Sequence, residues 1–255
     1  MFQKFILYIK HLSHRRYFRN IAKSHFSKTT FDEIFLHDIY KLKKIIKKIN
    51  LSTDNFKILD IGAHHGFYSF YLKEIINEGK KEKLKNIDFH LIEPDKQNFE
   101  ILKKVFTEKN YFIYNDLIGS EKKVYNFQFE SFYTSGHIFI EDLEKFKKQK
   151  PSYVKKGKIK EIKPGLKTIN LKKLINEIGS IKFAKIDCEG AEHESVPEAI
   201  EEISNNIENL FIEIHRSHKE RSILYNLLSS KYPTVIDLSD SMKMAFFSKN
   251  ILHIE

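Results

Sequence analysis

The alternation of short apolar segments with amphipathic ones, which begins at residue 56, constrains the fold of this chain more than any other feature. Residues 57–61, 88–93 and 111–114 are short and largely apolar, as is typical of buried strands. The intervening segments 67–78 and 97–109 carry apolar residues at helical spacing. Strands that alternate with helices predict βαβ units, a mainly parallel sheet and hence an α/β fold.

The second half of the chain continues the alternation and then ends differently. Further strands and helices are predicted at residues 171–178 (helix), 182–187 (strand), around 196–203 (helix), 209–214 (strand) and 223–228 (helix). Two consecutive strand patterns, at 234–238 and 244–248, close the chain with no helix between them. We therefore predict a mainly parallel seven-stranded sheet with an antiparallel hairpin at one edge.

Two regions lack this alternation of strands and helices, and they define the predicted domain organisation. Residues 1–52 are predicted to form a basic helical N-terminal appendage, since residues 38–49 have helical apolar spacing. Residues 53–255 are predicted to form the ligand-binding domain. Within it, residues 120–168 interrupt the strand and helix pattern and are interpreted as an insertion or a mobile loop over the ligand site, with a Lys-rich stretch at residues 145–163.

The net charge of +10 is concentrated in the appendage. Residues 1–50 contain 12 Lys and Arg residues and three acids, whereas the rest of the chain is nearly neutral. A chain-wide nucleic-acid surface is therefore not expected. The appendage could meet RNA, a nucleotide phosphate or a membrane surface, or form a solvated helical cap.

Cysteine usage and hydropathy indicate the compartment. Cys188 is the single cysteine, which excludes a disulfide framework and favours a reducing environment. No apolar run approaches the ~20 residues that a membrane-spanning helix requires. A cytoplasmic enzyme without a transmembrane segment is predicted.

The segment from Ile58 to Ser69 combines a buried strand, a glycine-containing turn and a helix. Asp60 ends the strand, and Gly62 and Gly66 bracket the turn. Glycines let a backbone approach a ligand closely, and the helix N-terminus that follows offers free N–H groups to an anionic or carboxylate-bearing ligand.

Acids at the ends of the next two strands indicate an adenosine-containing ligand. Glu93, followed by Pro94, ends the second strand, where an acid can bind both ribose hydroxyls. Asp116 follows the third strand and can meet the adenine amino group, although a turn residue is an alternative. NAD would favour a tighter Gly-x-Gly-x-x-Gly turn, and His64 replaces its second glycine, so S-adenosylmethionine is favoured.

Polar residues also follow the two later parallel strands. Asp187 and Glu189 come after one strand, where they could orient the reacting methyl group, bind a sugar hydroxyl or act as a general base, or merely cap a helix. Glu213, His215 and Arg216 end the next strand, and His215 could accept a proton near neutral pH or be structural.

These segments together resemble the FkbM family of methyltransferases. The most specific element is Lys185-Ile-Asp-Cys-Glu-Gly-Ala-Glu192, which is similar to the family signature K-I-D-V-E-G-A-E. Ile58 to Ser69 resembles its V-D-V-G-A-N-x-G segment, with His64 in place of Asn. Glu93-Pro94-Asp95 followed by Asn98-Phe99 resembles its F-E-P-x-P-x-N-F/Y segment.

The resemblance implies a Rossmann-like class I methyltransferase fold, S-adenosylmethionine as cofactor with S-adenosylhomocysteine as product, and O-methylation, often of sugar hydroxyls. The residues predicted to hold the cofactor are Asp60, Gly62, Ala63, His64, Gly66, Tyr68, Ser69, Glu93, Pro94, Asp116, Leu117 and Asp187. The residues predicted to be catalytic are Asp187, Glu189 and His215.

The acceptor and several alternatives stay open at this point. A nucleotide-activated sugar for a capsular or other surface polysaccharide is favoured, and no nucleic-acid partner is expected. An RNA methyltransferase, a non-catalytic S-adenosylmethionine-binding module and an NAD-dependent oxidoreductase are the alternatives. No metal is predicted, although Asp187, Glu189 and Glu213 leave a divalent cation open. A homo-oligomer is also left open.

Overall fold

The computed structural model describes residues 2–49, 51, 55–78, 86–119, 126–130, 159–164, 168–239 and 241–252. Its helices are α1 (Phe2–Ala22), α2 (Lys28–Phe35), α3 (Leu42–Ile46), α4 (Phe67–Asn77), α5 (Lys96–Val105), α6 (Leu171–Ile178), α7 (Glu192–Glu198), α8 (Ile200–Asn206) and α9 (His218–Ser229). Its strands are β1 (Asn55–Ile61), β2 (Asn86–Ile92), β3 (Tyr111–Tyr114), β4 (Leu117–Ile118), β5 (Asn126–Glu130), β6 (Ile159–Pro164), β7 (Thr168–Ile169), β8 (Ile181–Ile186), β9 (Ile207–Glu213), β10 (Thr234–Asp237) and β11 (Met244–Ser248).

The main sheet has seven strands in the order β10-β11-β9-β8-β1-β2-β3. β3, β2, β1, β8 and β9 run parallel, and β11 pairs antiparallel with both β9 and β10. The last four residues of β1, β2 and β8 are all buried, as expected when helices cover both faces of a parallel sheet. The predicted α/β, Rossmann-like methyltransferase fold with its antiparallel edge hairpin is confirmed.

The sheet order places a site at the carboxyl ends of the central strands. The chain leaves β1 toward β2 on one side, and returns to β8 on the other side. Ligands in open α/β sheets bind in the crevice at such a reversal of strand order. β1 and β8 are paired in register from Ile58 opposite Phe183 to Ile61 opposite Ile186, so their ends lie side by side.

The N-terminal helices pack onto the sheet through aromatic side chains. Phe18 of α1 and Phe31 of α2 are fully buried and contact Phe67 of α4 at ring-centroid distances of 4.8 Å and 5.4 Å. These side chains belong to the same hydrophobic cluster as Phe89 of β2 and Phe183 of β8. The predicted helical appendage therefore shares the core of the sheet.

The helix predicted at residues 38–49 is shorter in the structure, because its first residues form a cap. The Asp38 carboxylate accepts hydrogen bonds from the backbone N–H groups of Leu42 and Lys43, at 2.8 Å and 3.1 Å. Lys41 has a left-handed backbone conformation (φ 51°), so the regular helix begins only at Leu42.

The helix predicted around residues 196–203 is two helices. α7 contains Pro197, which has no backbone N–H to donate. The helix ends at Glu198, and α8 begins at Ile200 after the non-helical residue Ala199. The helix predicted at 97–109 ends earlier, at Val105. α9 is longer than predicted, because Ser217 and Glu220 form a capping box that starts it at His218.

The predicted insertion is described only in part. β5 and β6 pair antiparallel, so residues 159–163 of the Lys-rich stretch lie in a strand and not in a loop. The rest of the Lys-rich stretch, residues 145–158, falls outside the described residues. None of the helices within the described ranges has the combination of length and hydropathy that would allow it to cross a lipid bilayer.

Candidate active site

The glycine turn after β1 is held between its two neighbouring strands. The backbone N–H groups of Gly62 and Ala63 donate to the carbonyl oxygen of Ile92, both at 3.0 Å. Gly62 has φ +74°, and a Cβ there would lie 1.8 Å from the Asp187 carbonyl oxygen. Gly66 has φ +79°, and a Cβ there would collide with the Phe106 ring. Both glycines are thus required by close contacts within the protein, in addition to the predicted approach of a ligand.

Asp60 lies beneath this turn and is fully buried. The Ser69 hydroxyl donates to its Oδ2 at 2.7 Å, and the Lys185 Nζ lies 3.5 Å from its Oδ1. Burial raises the pKa of Asp60. Asp60 and Ser69, both predicted to hold the cofactor, therefore join the end of β1 to the start of α4, the two elements that flank the turn.

Lys185, for which the sequence suggested no role, connects the ends of β1 and β8. Its Nζ donates to the Gly62 carbonyl oxygen at 2.9 Å and lies 3.3 Å from Asp187 Oδ2. Burial alone would lower the pKa of this ammonium group, but the charges of Asp187 and Asp60 raise it above its usual value. The sequence does contain a signal from which a role for Lys185 could have been predicted, since lysine is rarely found inside an otherwise apolar strand.

Glu93 at the end of β2 is buried and holds the turn from the other side. Its Oε2 accepts from the His64 backbone N–H at 2.7 Å, and its Oε1 accepts from the Asp95 backbone N–H at 2.9 Å. The Asn98 side-chain amide also donates to Oε1, at 3.5 Å. A carboxylate can accept several hydrogen bonds, as the predicted contact with the ribose hydroxyls requires. The Asn115 side chain, which the sequence did not single out, donates to the Glu93 and Pro94 carbonyl oxygens.

The remaining residues predicted to hold the cofactor lie in the turn itself, on α4, and after β3. Tyr68 is buried on α4, and its hydroxyl has no hydrogen-bond partner among the described residues. His64 has a left-handed backbone (φ 52°), a conformation for which Asn and His are enriched. Asp116 is buried between β3 and β4, and Leu117 is buried as the first residue of β4.

The polar residues after β8 and β9 converge on one imidazole. The Nε2 atom of His215 lies 3.4 Å from Glu189 Oε2, 3.6 Å from Glu213 Oε1 and 3.9 Å from Asp187 Oδ1. All four side chains are partly exposed. The structure thus brings together the three residues predicted to be catalytic. Helix capping does not explain Asp187 and Glu189, since α7 has Ala191 as its N-cap and no side-chain cap.

Glu192, which entered the sequence analysis only as the last residue of the family signature, orients this imidazole from a buried position. Its Oε1 accepts from the His215 backbone N–H at 2.7 Å and lies 3.0 Å from His215 Nδ1. Burial would lower the pKa of His215, but the Glu192 hydrogen bond and charge raise that pKa to about 10. The surrounding carboxylates thus favour the protonated imidazole, whereas the role of general base that the sequence predicts requires a neutral one.

Cys188 follows Asp187, and its thiol faces the buried Glu192. Its Sγ lies 3.5 Å from Glu192 Oε2, and burial raises the pKa of the thiol well above its usual value. A neutral thiol is a poor nucleophile, which agrees with a packing role for Cys188.

Two residues of the N-terminal region, absent from the sequence prediction, border the site. Tyr40 is buried, with its ring 5.3 Å from the Tyr68 ring and 6.2 Å from the Phe211 ring. Burial raises the pKa of Glu33, and the nearby charges of Glu213 and Asp187 raise it further. The N-terminal region thus lies against the cluster of Asp187, Glu189, Glu213 and His215, which we call the acidic cluster.

The sequence that builds this site matches a known protein family. Residues 60–242 match the model of the methyltransferase FkbM domain, from the Asp60 strand end to the loop before β11. This chain belongs to the FkbM methyltransferase family. Its cofactor is S-adenosylmethionine, and the predicted family and cofactor are confirmed. The first-turn N–H groups of α4, which have no acceptor within the helix, the Glu93 carboxylate and the Tyr68 hydroxyl form a donor and acceptor set that fits this cofactor.

Several solved structures are similar to this chain at low sequence identity. An FkbM methyltransferase from Methylobacillus flagellatus is 15% identical with a TM-score of 0.45, covering 90% of this chain and 57% of its own. This FkbM-family chain thus spans little more than half the length of that protein. An S-adenosylmethionine-dependent methyltransferase from Aquifex aeolicus is 12% identical (TM-score 0.40), covering 87% of this chain and 96% of its own.

A third structure is TrmK from M. capricolum in complex with S-adenosylhomocysteine. It is 17% identical to this FkbM-family chain with a TM-score of 0.36, covering 84% of this chain and 69% of its own. No curated protein sequence matches the chain significantly.

Proposed function

We propose that this enzyme transfers the methyl group of S-adenosylmethionine to a sugar hydroxyl, and that the acceptor is a nucleotide-activated sugar for a capsular or other surface polysaccharide. The observation that carries the proposal is the convergence of Asp187, Glu189 and His215 beside the glycine turn after β1, which we call the cofactor turn. Several partly exposed carboxylates at one place can accept hydrogen bonds from neighbouring hydroxyl groups, which is how sugars are commonly held.

The residues of this chain would chiefly position the two reactants. The cofactor supplies an electrophilic methyl group, and the acceptor oxygen has to approach it in line. Asp187 and Glu189 would bind acceptor hydroxyls, while Lys185 holds Asp187 and the turn at Gly62 in fixed relative positions. This arrangement reduces the entropy lost when the hydroxyl and the methyl group align.

The charge of the N-terminal region supports a phosphate-bearing acceptor. Residues 1–50 carry an excess of nine positive charges, and this region borders the acidic cluster through Glu33 and Tyr40. Lysine and arginine side chains bind the diphosphate of a nucleotide sugar electrostatically. A KM for the acceptor that stays constant as the salt concentration rises would argue against this part of the proposal.

The test measures S-adenosylhomocysteine formation with a panel of nucleotide-activated sugars, free sugars and tRNA. Asp187→Asn and Glu189→Gln are expected to lower kcat at least 100-fold on a nucleotide sugar, with binding of S-adenosylmethionine largely retained. Glu198→Gln, an exposed site on α7, serves as the control and keeps full activity.

Other outcomes favour the alternative functions. Methylation of tRNA and not of any sugar indicates an RNA methyltransferase. Cofactor binding without turnover on any acceptor, together with tolerance of both substitutions, indicates a non-catalytic module. Calorimetric titration of S-adenosylmethionine and NAD into the wild type and Glu93→Ala tests the cofactor site separately, and Glu93→Ala should lose S-adenosylmethionine binding.

A further inference from the structure

The acidic cluster contains a set of atoms with the spacing of a metal site. Asp187, Glu213 and His215 each offer one ligand atom, and these atoms all lie within 4.8 Å of one another. A divalent cation with bonds of about 2.0–2.5 Å places its ligand atoms roughly 3–5 Å apart. The three side chains therefore already surround a point at which each could reach the same ion.

The orientation of His215 is the second observation. Its Nδ1 is engaged by the buried Glu192 carboxylate at 3.0 Å, which turns Nε2 toward the acids. The Glu213 and Asp187 oxygens stand 3.6 Å and 3.9 Å from Nε2, which is ion-pair distance and longer than an ordinary hydrogen bond. A histidine held at one nitrogen by a carboxylate, with the other nitrogen directed at further ligands, is the usual arrangement at metal sites.

The charge around this point also favours a cation. The carboxylates of Glu189 and Glu33 lie near the three candidate ligands. The Lys185 and Lys243 ammonium groups offset part of this charge, at 3.3 Å from Asp187 and 2.9 Å from Glu213. The ligand side chains remain 15–24% exposed, so an ion held there would keep coordination positions open to water or an acceptor.

We propose that Asp187, Glu213 and His215 bind a divalent cation of the Mg²⁺ and Mn²⁺ class, and that this cation holds an acceptor hydroxyl. The ion replaces the proton that the carboxylates otherwise stabilise on His215 Nε2, and this proton is released to solvent. Two carboxylates suit either ion, and the imidazole favours Mn²⁺. The second part of the proposal rests on the proposed function. Coordination lowers the pKa of a hydroxyl, so its proton passes to water without a protein base. The oxygen then bonds to the methyl carbon, and the C–S bond breaks with its electron pair left on sulfur.

The site is tested with the metal alone. MnCl2 is titrated by calorimetry into the chelator-treated full chain, without cofactor or acceptor. The expected result is one Mn²⁺ per chain with a micromolar Kd. Glu213→Gln is expected to weaken binding at least tenfold, and Glu192→Gln to weaken it 10- to 100-fold by releasing the imidazole. Glu198→Gln serves as the matched control with unchanged affinity.

Two results would overturn the site. One is the absence of Mn²⁺ binding to the wild type, and the other is equal binding to the wild type and Glu213→Gln, with circular dichroism and S-adenosylmethionine binding confirming that the variant is folded. Methyl transfer that proceeds at the same rate in excess chelator would overturn the role in holding the acceptor. A failure to methylate any sugar, with Mn²⁺ binding intact, would count against the proposed function and leave the metal site standing.

Discussion

At the scale of single residues, the site depends on buried charges that neutralise one another. Lys185 is almost completely buried, and its ammonium group contacts Asp60, Asp187 and the Gly62 carbonyl oxygen. Burying a charge is costly, and removing one partner leaves the other uncompensated. The stability of the cofactor turn should therefore depend strongly on this one side chain.

We expect Lys185→Met to lower the free energy of unfolding by about 3–5 kcal/mol, because Asp60 would stay buried without a counter-ion. Urea denaturation monitored by circular dichroism measures the change. The double variant Lys185→Met with Asp60→Asn should recover part of the loss, since it removes the uncompensated charge.

Lys182→Met is the matched control on the same strand. The Lys182 ammonium group pairs with Glu208 at 2.6 Å near the surface, where ion pairs contribute at most ~1 kcal/mol. Equal losses of stability in the Lys182 and Lys185 variants would contradict the role assigned to Lys185.

At the scale of elements, the outer strands β2 and β3 are joined by stacked rings. The His90 ring stacks on Phe112 and Tyr114 at centroid distances of 4.8 Å and 6.1 Å, and its Nδ1 lies 3.1 Å from the Tyr114 hydroxyl. Burial, assisted by the charge of Lys57, lowers the pKa of His90 to about 4. The folded pair of strands thus favours the neutral imidazole.

This pKa predicts how stability depends on pH. A histidine whose pKa is lower in the folded state contributes fully above its unfolded pKa of 6.5, and its contribution is lost as the pH falls toward about 4. We expect His90 to account for roughly 1–2 kcal/mol of lost unfolding free energy between pH 7 and pH 4, reduced from the full linkage value by the water that reaches the ring.

Urea denaturation at pH 7, 6, 5 and 4 checks this expectation. His90→Gln should flatten the pH dependence, and part of it should persist because burial also lowers the pKa of His65 to about 4. His218→Gln, at an exposed position on α9, should leave the slope unchanged. A slope that is the same in His90→Gln and in the wild type would contradict the prediction.

At the scale of the whole molecule, the N-terminal helices and the sheet share one hydrophobic cluster. Phe18 of α1 is fully buried among Phe31, Phe67 and Phe70. Elements that share a core unfold together in small domains. The structure therefore indicates that residues 2–49 and the methyltransferase fold unfold cooperatively, while a domain boundary between residues 52 and 53 stays a prediction from the sequence.

Phe18→Ala should lower the free energy of unfolding by about 3–5 kcal/mol, because it leaves a cavity in the shared core. Denaturation followed by circular dichroism should still show one transition. Leu12→Ala, at a side chain of α1 that is 42% exposed, is the matched control and should cost less than about 1 kcal/mol. A separate early transition of the N-terminal helices would show that they are an independent unit.

Several elements could be predicted from the sequence because their signals lie in contiguous residues. The helix at residues 171–178 has the predicted bounds, since its apolar spacing, its Asn170 cap and Gly179 after it act within one short segment. The strands at 111–114 and 244–248 likewise match, and the closing hairpin follows from two strand patterns without a helix between them. The family signature, residues Lys185 to Glu192, is likewise a run of contiguous residues.

The tertiary structure alone decided which side chains meet. The sequence placed Asp187 and His215 at strand ends, but their distance from each other depends on β8 and β9 being neighbours in register. Lys185 and Glu192 acquire their roles from partners on other elements. Tyr40, between α2 and α3, reaches the site because both of these helices pack on α4. Periodicity and caps are encoded over a few contiguous residues, whereas burial and counter-charges arise from contacts between distant segments, which no local pattern specifies.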